Sequence, residues 1–287
     1  MSSSPAGEGQ IHWEADQAGL RAQGSDAATF LQGLLACDIG AVRPECASPG
    51  ALLDVSGRVI SDFALALLGE DDWAMLTPPG MAGIILADLG KVAGLYRNLK
   101  LTLLDRPRTS MIGAAALPAF VRAAVELPPW AVAHSGDNAL MLRWGASDLV
   151  EYVGAPPERL GEVEIRDGED WAAHVAGCGI PSITEPISAK LTAHAMQLLR
   201  RGAVSLEKGC YRGQEIVART EHRGKTKRVL RVLECRSAAV GDAVADASGA
   251  KLGLVQQVLK HGIALALVAV DAPLEVSIAG APAEWLD

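Results

Sequence analysis

The last sixty residues differ in pattern from everything before them. Residues 229–235, 251–260, 263–270 and 274–278 are short apolar runs separated by Gly, Pro, Asp and Ser. Runs of that length, punctuated by turn formers, read as strands. Four strands with little helix predict a small β-barrel, packed as a unit of its own from about residue 226. The chain upstream mixes strand and helix patterns. A helix opens at Ser25, whose hydroxyl can cap free amides, and apolar residues follow at helical spacing. Strands are expected over 51–55 and 59–68, joined at Ser56-Gly57, and over 73–76 before Pro78-Pro79. A helix is expected over 81–94 and a strand over 99–104. A second α/β stretch runs from about 110 to 220, with helices from Pro157 onward and around 170–178.

At 287 residues the chain can bury a large core without disulfides or a structural metal. Its five cysteines, at 37, 46, 178, 210 and 235, are odd in number and include no C-x-x-C pair. Neither a disulfide framework nor a metal site is expected. Cys37, Cys178 and Cys235 have apolar or small neighbours and read as core residues. Residues 1–10 look unstructured and lack the basic start and apolar run of a secretory signal. The longest apolar stretch, 262–270, is far below the roughly 20 residues of a membrane helix. A soluble cytoplasmic chain is the expectation. Its net charge of −8 speaks against general nucleic-acid binding. Yet between Lys208 and Arg231 stand eight basic residues and two acidic ones. A basic stripe on an acidic protein can hold an anionic ligand, or be a solvated face.

Chemistry concentrates in Lys208-Gly209-Cys210-Tyr211-Arg212-Gly213-Gln214-Glu215, followed by Ile216 to Arg219. Gly209 and Gly213 predict a tight loop, and a helix begins at Gln214. A thiol at such a junction faces exposed amides and the positive end of the helix dipole, with Lys208 adding charge. Cys210 therefore reads either as a reactive or ligand-facing thiol, or as a buried residue in a packing turn.

This segment is similar throughout to the signature K-G-C-[FYW]-x-G-Q-E of the YgfZ family, which is related to the glycine-cleavage aminomethyltransferases. Gly179-Ile180-Pro181 resembles the family's G-I-P, and Phe30-Leu31-Gln32-Gly33 with Cys37-Asp38-Ile39 its F-L-Q-G…D-[VI]. Gly57-Arg58 resembles its G-R element, and Arg223-Gly224 with Lys227-Arg228 its basic tail. The resemblance covers about residues 11 to 280. It implies an α+β, aminomethyltransferase-like folate-binding fold. An α/β domain over 11–108 would interleave with another over 109–225, followed by a barrel over 226–287 and a central tetrahydrofolate pocket.

The same resemblance implies Cys210, Lys208, Gln214 and Glu215 as the working group. Tyr211, Gly213, Arg219, Arg223 and Lys227 would face the cofactor, the cations receiving folate carboxylates. Relatives carry arginines and a pterin-reading glutamate on the helix before G-I-P, where this chain has Ala173, Val175 and Gly177. The family's P-x-x-x-N-L stands here as Ala193 to Leu198. Asp62 falls near the catalytic aspartate of the aminomethyltransferases, but reads as a surface carboxylate at a strand end.

The implied function is a folate-binding accessory factor for assembly or repair of iron–sulfur clusters. Its partners would be iron–sulfur proteins or their assembly machinery, with an indirect effect on tRNA-modifying enzymes. Catalysis is not implied by any residue pattern; if present, it is folate-linked one-carbon or sulfur/redox chemistry at Cys210. A tetrahydrofolate-dependent aminomethyltransferase and a non-catalytic RNA- or protein-docking module are the alternatives. Tyr211 alone accompanies the basic stripe, so base stacking, and with it direct nucleic-acid binding, is not expected.

Overall fold

The computed structural model describes residues 10–13, 19–104, 106–111, 126, 128–135, 139–145, 149–154, 164–165 and 168–286. The first nine residues and the helix expected from Pro157 lie outside them. Strands β2 (Gly19–Gln23), β3 (Ser48–Leu53), β4 (Val59–Gly69), β5 (Asp72–Leu76) and β6 (Lys100–Leu104) form a five-stranded sheet. Its order is β3-β4-β5-β2-β6, antiparallel throughout. Helices α1 (Ala27–Leu34) and α2 (Met81–Ala93) supply Phe30, Leu31, Met81, Ile85 and Leu89 to its core. Those are residues at helical spacing, so each helix buries one stripe. Ser25 does not cap α1: the N-cap position is Asp26, whose carboxylate accepts from the Asn98 amide at 2.9 Å. The carboxylate thus ties the start of α1 to the approach of β6 rather than closing its own helix turn.

A second sheet runs β11-β1-β7-β10-β9-β8. Its strands are β1 (Gln10–Trp13), β7 (Arg108–Met111), β8 (Val132–Ser135), β9 (Ala139–Arg143), β10 (Val150–Val153) and β11 (Glu164–Ile165). The first described strand thus pairs with β7 and β11, about 100 and 150 residues later. Helix α3 (Gly168–Gly177) buries Trp171 to Ala176. Trp171 Nε1 donates to Glu151 Oε1 at 2.6 Å. Glu151 also takes Ser110 Oγ at 2.9 Å and pairs with Arg108 at 2.7 Å, both side chains of that ion pair fully buried. In the same first turn of α3, Asp170 pairs with Lys260 at 3.1 Å and His261 at 2.8 Å. The helix is thereby held between the second sheet and the C-terminal unit.

That unit is a closed barrel of six strands, β12-β15-β14-β13-β16-β17. They are β12 (Arg228–Cys235), β13 (Ala243–Asp246), β14 (Lys251–Val258), β15 (Ile263–Ala269), β16 (Val276–Ile278) and β17 (Ala281–Trp285). The expected barrel is present with two more strands than expected. Both additions are short and rich in Ala, and β17 carries Pro282, so neither shows an apolar strand run. Leu274, expected to open a strand, is instead exposed in the turn before β16. Among the described residues, no helix is long and apolar enough to cross a membrane.

Candidate functional site

Three separated sequence elements meet at the loop that carries Cys210. Helix α4 (Gln214–Arg223) follows that loop, as expected. Lys208 is buried, and its Nζ donates to the carbonyls of Gln32 at 2.7 Å, Leu35 at 2.9 Å and Cys37 at 2.8 Å. Those carbonyls lie at and just beyond the C-terminal end of α1, where helix carbonyls lack intrahelical partners and attract cations. All three ammonium protons are thereby taken up. Burial draws the Lys208 pKa down, with Asp38 opposing. Lys208 can influence Cys210 only through its charge, not as a hydrogen-bond donor to the sulfur.

The F-L-Q-G element supports this cradle. Gln32 Nε2 donates to Asp38 Oδ1 at 2.9 Å, and Gln32 Oε1 accepts from the Ile39 amide at 3.1 Å. The Gln32 amide and the Gly40 N–H hold the Asp38 carboxyl below its ordinary range. Cys37 is enclosed, and burial pushes its thiol up to about 12.

On the far side of Cys210, Arg212 Nε donates to the Leu53 carbonyl at 2.6 Å and its guanidinium pairs with Asp88 on α2. Gly213 follows at φ 82°, where an added Cβ would lie 2.5 Å from the Asp54 carbonyl oxygen and 3.2 Å from Gly57. At Gly57, with φ 73°, an added Cβ would lie 3.0 Å from Ile216. The G-R turn and the signature loop therefore touch backbone to backbone, which only glycine permits at these dihedrals. Gly209 is not under this constraint: its φ is not positive and an added Cβ would meet nothing within 4 Å. Gly213→Ala is expected to destabilise the chain by about 2 kcal/mol or more, and Gly209→Ala by less than about 0.5 kcal/mol, in paired thermal melts. Equal effects would mean that the contact with Asp54 does not hold the loop.

Tyr211 points into the first core, its ring centroid 5.4 Å from Lys208 Nζ. Its buried hydroxyl has no hydrogen-bond partner among the described residues, and burial pushes it up to about 12. Between these anchors Cys210 is exposed. That placement excludes the reading of Cys210 as a packed core thiol. Cys37 and Cys235 are buried as expected, while Cys178 is only half-buried. Glu215 is exposed and pairs with Arg219 at 3.3 Å, an i,i+4 contact worth a few tenths of a kcal/mol. Gln214 is half-buried at the first turn of α4. Arg223 and Lys227 are exposed beyond it.

Asp62 corrects the sequence reading. It is buried in β4, not a surface carboxylate, and its Oδ1 accepts from the Ile183 amide at 2.7 Å. Burial raises its pKa, against the pull of Arg201 and the Ile183 N–H. The folded chain therefore holds this proton more tightly than the unfolded chain. Stability from Asp62 then falls as pH rises from about 4 through the raised folded value. Asp62→Asn keeps the acceptor and does not titrate. Its melting temperature relative to the parent should climb between pH 4 and 8, and a widening deficit instead would show that the ionised form is the one the site stabilises.

No metal-holding group of three or more His, Cys, Asp or Glu side chains occurs among the described residues. A cleft of about 500 Å³ opens where the barrel meets α3, lined by Glu169, Pro186, Lys190, Gln257 and Lys260 among others. Cys210 does not line it. At the end of α3, Gly177 faces open space, with no atom within 4 Å of an added Cβ. This is where the resemblance places the carboxylate that reads a pterin edge. The neighbouring Ala173 and Val175 are buried and apolar. A folate therefore fits this chain only in part: cations for its carboxylates are present, and the ring-reading carboxylate is not.

No protein-family model matches the chain. Over 237 residues it is 27% identical to the "tRNA-modifying protein YgfZ" of Escherichia coli O157:H7 (strain EC4115 / EHEC), covering 78% of this chain and 71% of that protein. The chain is thus similar to a YgfZ protein along most of its length. Its fold is that of the aminomethyltransferases. The glycine cleavage system aminomethyltransferase T from Bartonella henselae superposes with a TM-score of 0.71 at 18% identity, over 96% of this chain and 84% of that one. Within this signature, then, Lys208, Arg212 and Gly213 anchor the loop, and Gly209, Cys210 and Glu215 face outward.

Proposed function

We propose that this chain is a cytoplasmic, folate-binding accessory factor that supports assembly or repair of iron–sulfur clusters. Its effect on tRNA modification would be indirect, through modifying enzymes that need such clusters. The role named for the Escherichia coli relative, tRNA modification, supports that link. The observation that carries the reading is the exposed Cys210, held out by a loop anchored on both sides. An inert cysteine would not need such a mount. In this reading Cys210 is the nucleophilic or sulfur-handling group, Lys208 adds positive potential, and Gln214 and Glu215 position the reacting partner. Tyr211 and Gly213 shape the loop rather than touch a ligand. A reduced folate would bind weakly, its carboxylates drawn to Arg219, Arg223 or Lys227.

The test is complementation. In cells lacking the protein, the activity of an iron–sulfur-dependent tRNA-modifying enzyme is measured after return of the parent chain or of Cys210→Ser. Restoration by the parent alone, with both proteins melting at the same temperature, is expected. Equal restoration by Cys210→Ser would remove the thiol from the function.

A further inference from the structure

The structure divides the basic stripe into two halves. Lys208 is taken up by three carbonyls, Arg212 by Leu53 and Asp88, Arg219 by Glu215, and Arg231 stacks over Trp285 at 3.9 Å. Arg223, Lys225, Lys227 and Arg228 remain, all exposed and without an ion-pair partner among the described residues. They are four cations within six consecutive residues, on a chain of net charge −8. Their backbone is held at both ends. The Gly224 amide closes α4 on Thr220 at 2.9 Å, and Arg228 enters the barrel ladder opposite Ala269. Of the nearby acids, Glu221 is engaged by His194 at 3.0 Å. Asp271 follows the Val270 whose amide donates to the Lys227 carbonyl.

A folate with one glutamate brings two carboxylates and would leave half of this charge uncompensated. A regular polyanion can use all of it. We infer that the segment from Arg223 to Arg228 docks on the phosphate backbone of double-helical RNA. A DNA duplex carries one phosphate per roughly 1.7 Å of its axis, and A-form RNA carries them at least as densely, a density that four clustered cations match. The segment has no apolar side chain, whereas the cores of protein–protein interfaces are apolar and depleted in lysine. It also has no aromatic face to offer: Tyr211 is buried and Trp285 is covered by Arg231. Contact is therefore with the backbone of folded RNA, without stacking on single-stranded bases. The overall negative charge argues against binding polyanions everywhere; it does not describe this local surface.

The experiment measures anisotropy of a labelled RNA hairpin titrated with the full chain between 50 and 200 mM salt. Up to four phosphate contacts predict a slope of log K against log salt near −3 to −4, on the order of a 100-fold loss over that range. The variant Arg223→Gln/Lys225→Gln/Lys227→Gln/Arg228→Gln should lose most of the affinity and the slope while melting as the parent does. No binding at 50 mM salt, or an unchanged slope in the variant, would overturn the inference. So would a poly-glutamate peptide of equal charge competing as well as unlabelled RNA, which would mark a surface for acidic proteins. Tetrahydrofolate titration of the same variant keeps the two readings apart. Because Arg223 and Lys227 also face folate carboxylates in the proposed function, a fall in folate binding in the variant does not bear on this inference. Loss of RNA binding supports it whether or not folate binding falls, and retained RNA binding overturns it.

Discussion

Replacing Lys208 with methionine is expected to lower the melting temperature by about 10 °C. The side chain is buried and donates three hydrogen bonds to carbonyls at the end of α1. Hydrogen bonds to charged groups are worth about 1.5–3 kcal/mol each, and buried acceptors left without donors add a desolvation penalty. Methionine has nearly the same length and fills the same space, so cavity formation is a small part of the change. A total of about 3–5 kcal/mol follows, allowing for the second lone pair of each carbonyl and for entry of water. Arginine is not a substitute: its planar fork does not match three carbonyls converging on one point. An unchanged melting temperature in Lys208→Met would mean that the loop is held by Arg212 and Gly213 alone. Lys208 would then be free for a direct part at Cys210.

That lysine also marks how far the sequence could be read. The elements with local signals were legible. α2, the strands on either side of Gly57, and the four apolar barrel strands carry their periodicity within a few residues of themselves. β13 and β17 do not, because alanine, aspartate and proline give no strand pattern and only the barrel's closure recruits them. In the signature, the helix start at Gln214 could be inferred from neighbours in sequence, while the exposure of Cys210 was one of two readings those neighbours left open. The roles of Lys208, Arg212 and Gly213 could not, since their partners are 124 to 176 residues away. The same holds for Asp62, whose burial depends on Ile183 folding across β4. One signal was present and unread: Arg108 and Glu151 each interrupt an otherwise neutral strand, and charges so placed must pair when buried. Gln197 is a milder case. It sits at φ 55° where the family's motif has asparagine, the side chain that best tolerates that left-handed geometry after glycine.

Gly177→Glu is expected to tighten tetrahydrofolate binding by about 10- to 150-fold, from a weak parent affinity. The amide and amino edge of a pterin in a pocket needs an acceptor pair, and a carboxylate supplies a charge-assisted contact of about 1.5–3 kcal/mol. Gly177 offers none, although the resemblance places that carboxylate there. The site has room: an added Cβ meets nothing within 4 Å and the backbone φ is not positive. A carboxylate at the C-terminal end of α3 opposes the helix dipole, which should reduce stability by less than about 1 kcal/mol. Gly177→Gln separates charge from shape, and its gain should be the smaller of the two. Salt provides a second readout. Binding by the parent, resting on exposed cations and folate carboxylates, should weaken as the screening length shortens from about 10 Å at 0.1 M. The increment gained by Gly177→Glu should persist at higher salt, because a contact inside the pocket is screened less. Calorimetry of the parent and both variants at two salt concentrations measures all of this. Tight, salt-insensitive binding by the parent would show that another residue reads the pterin. Identical affinities in all three proteins would show that the end of α3 does not face the ring.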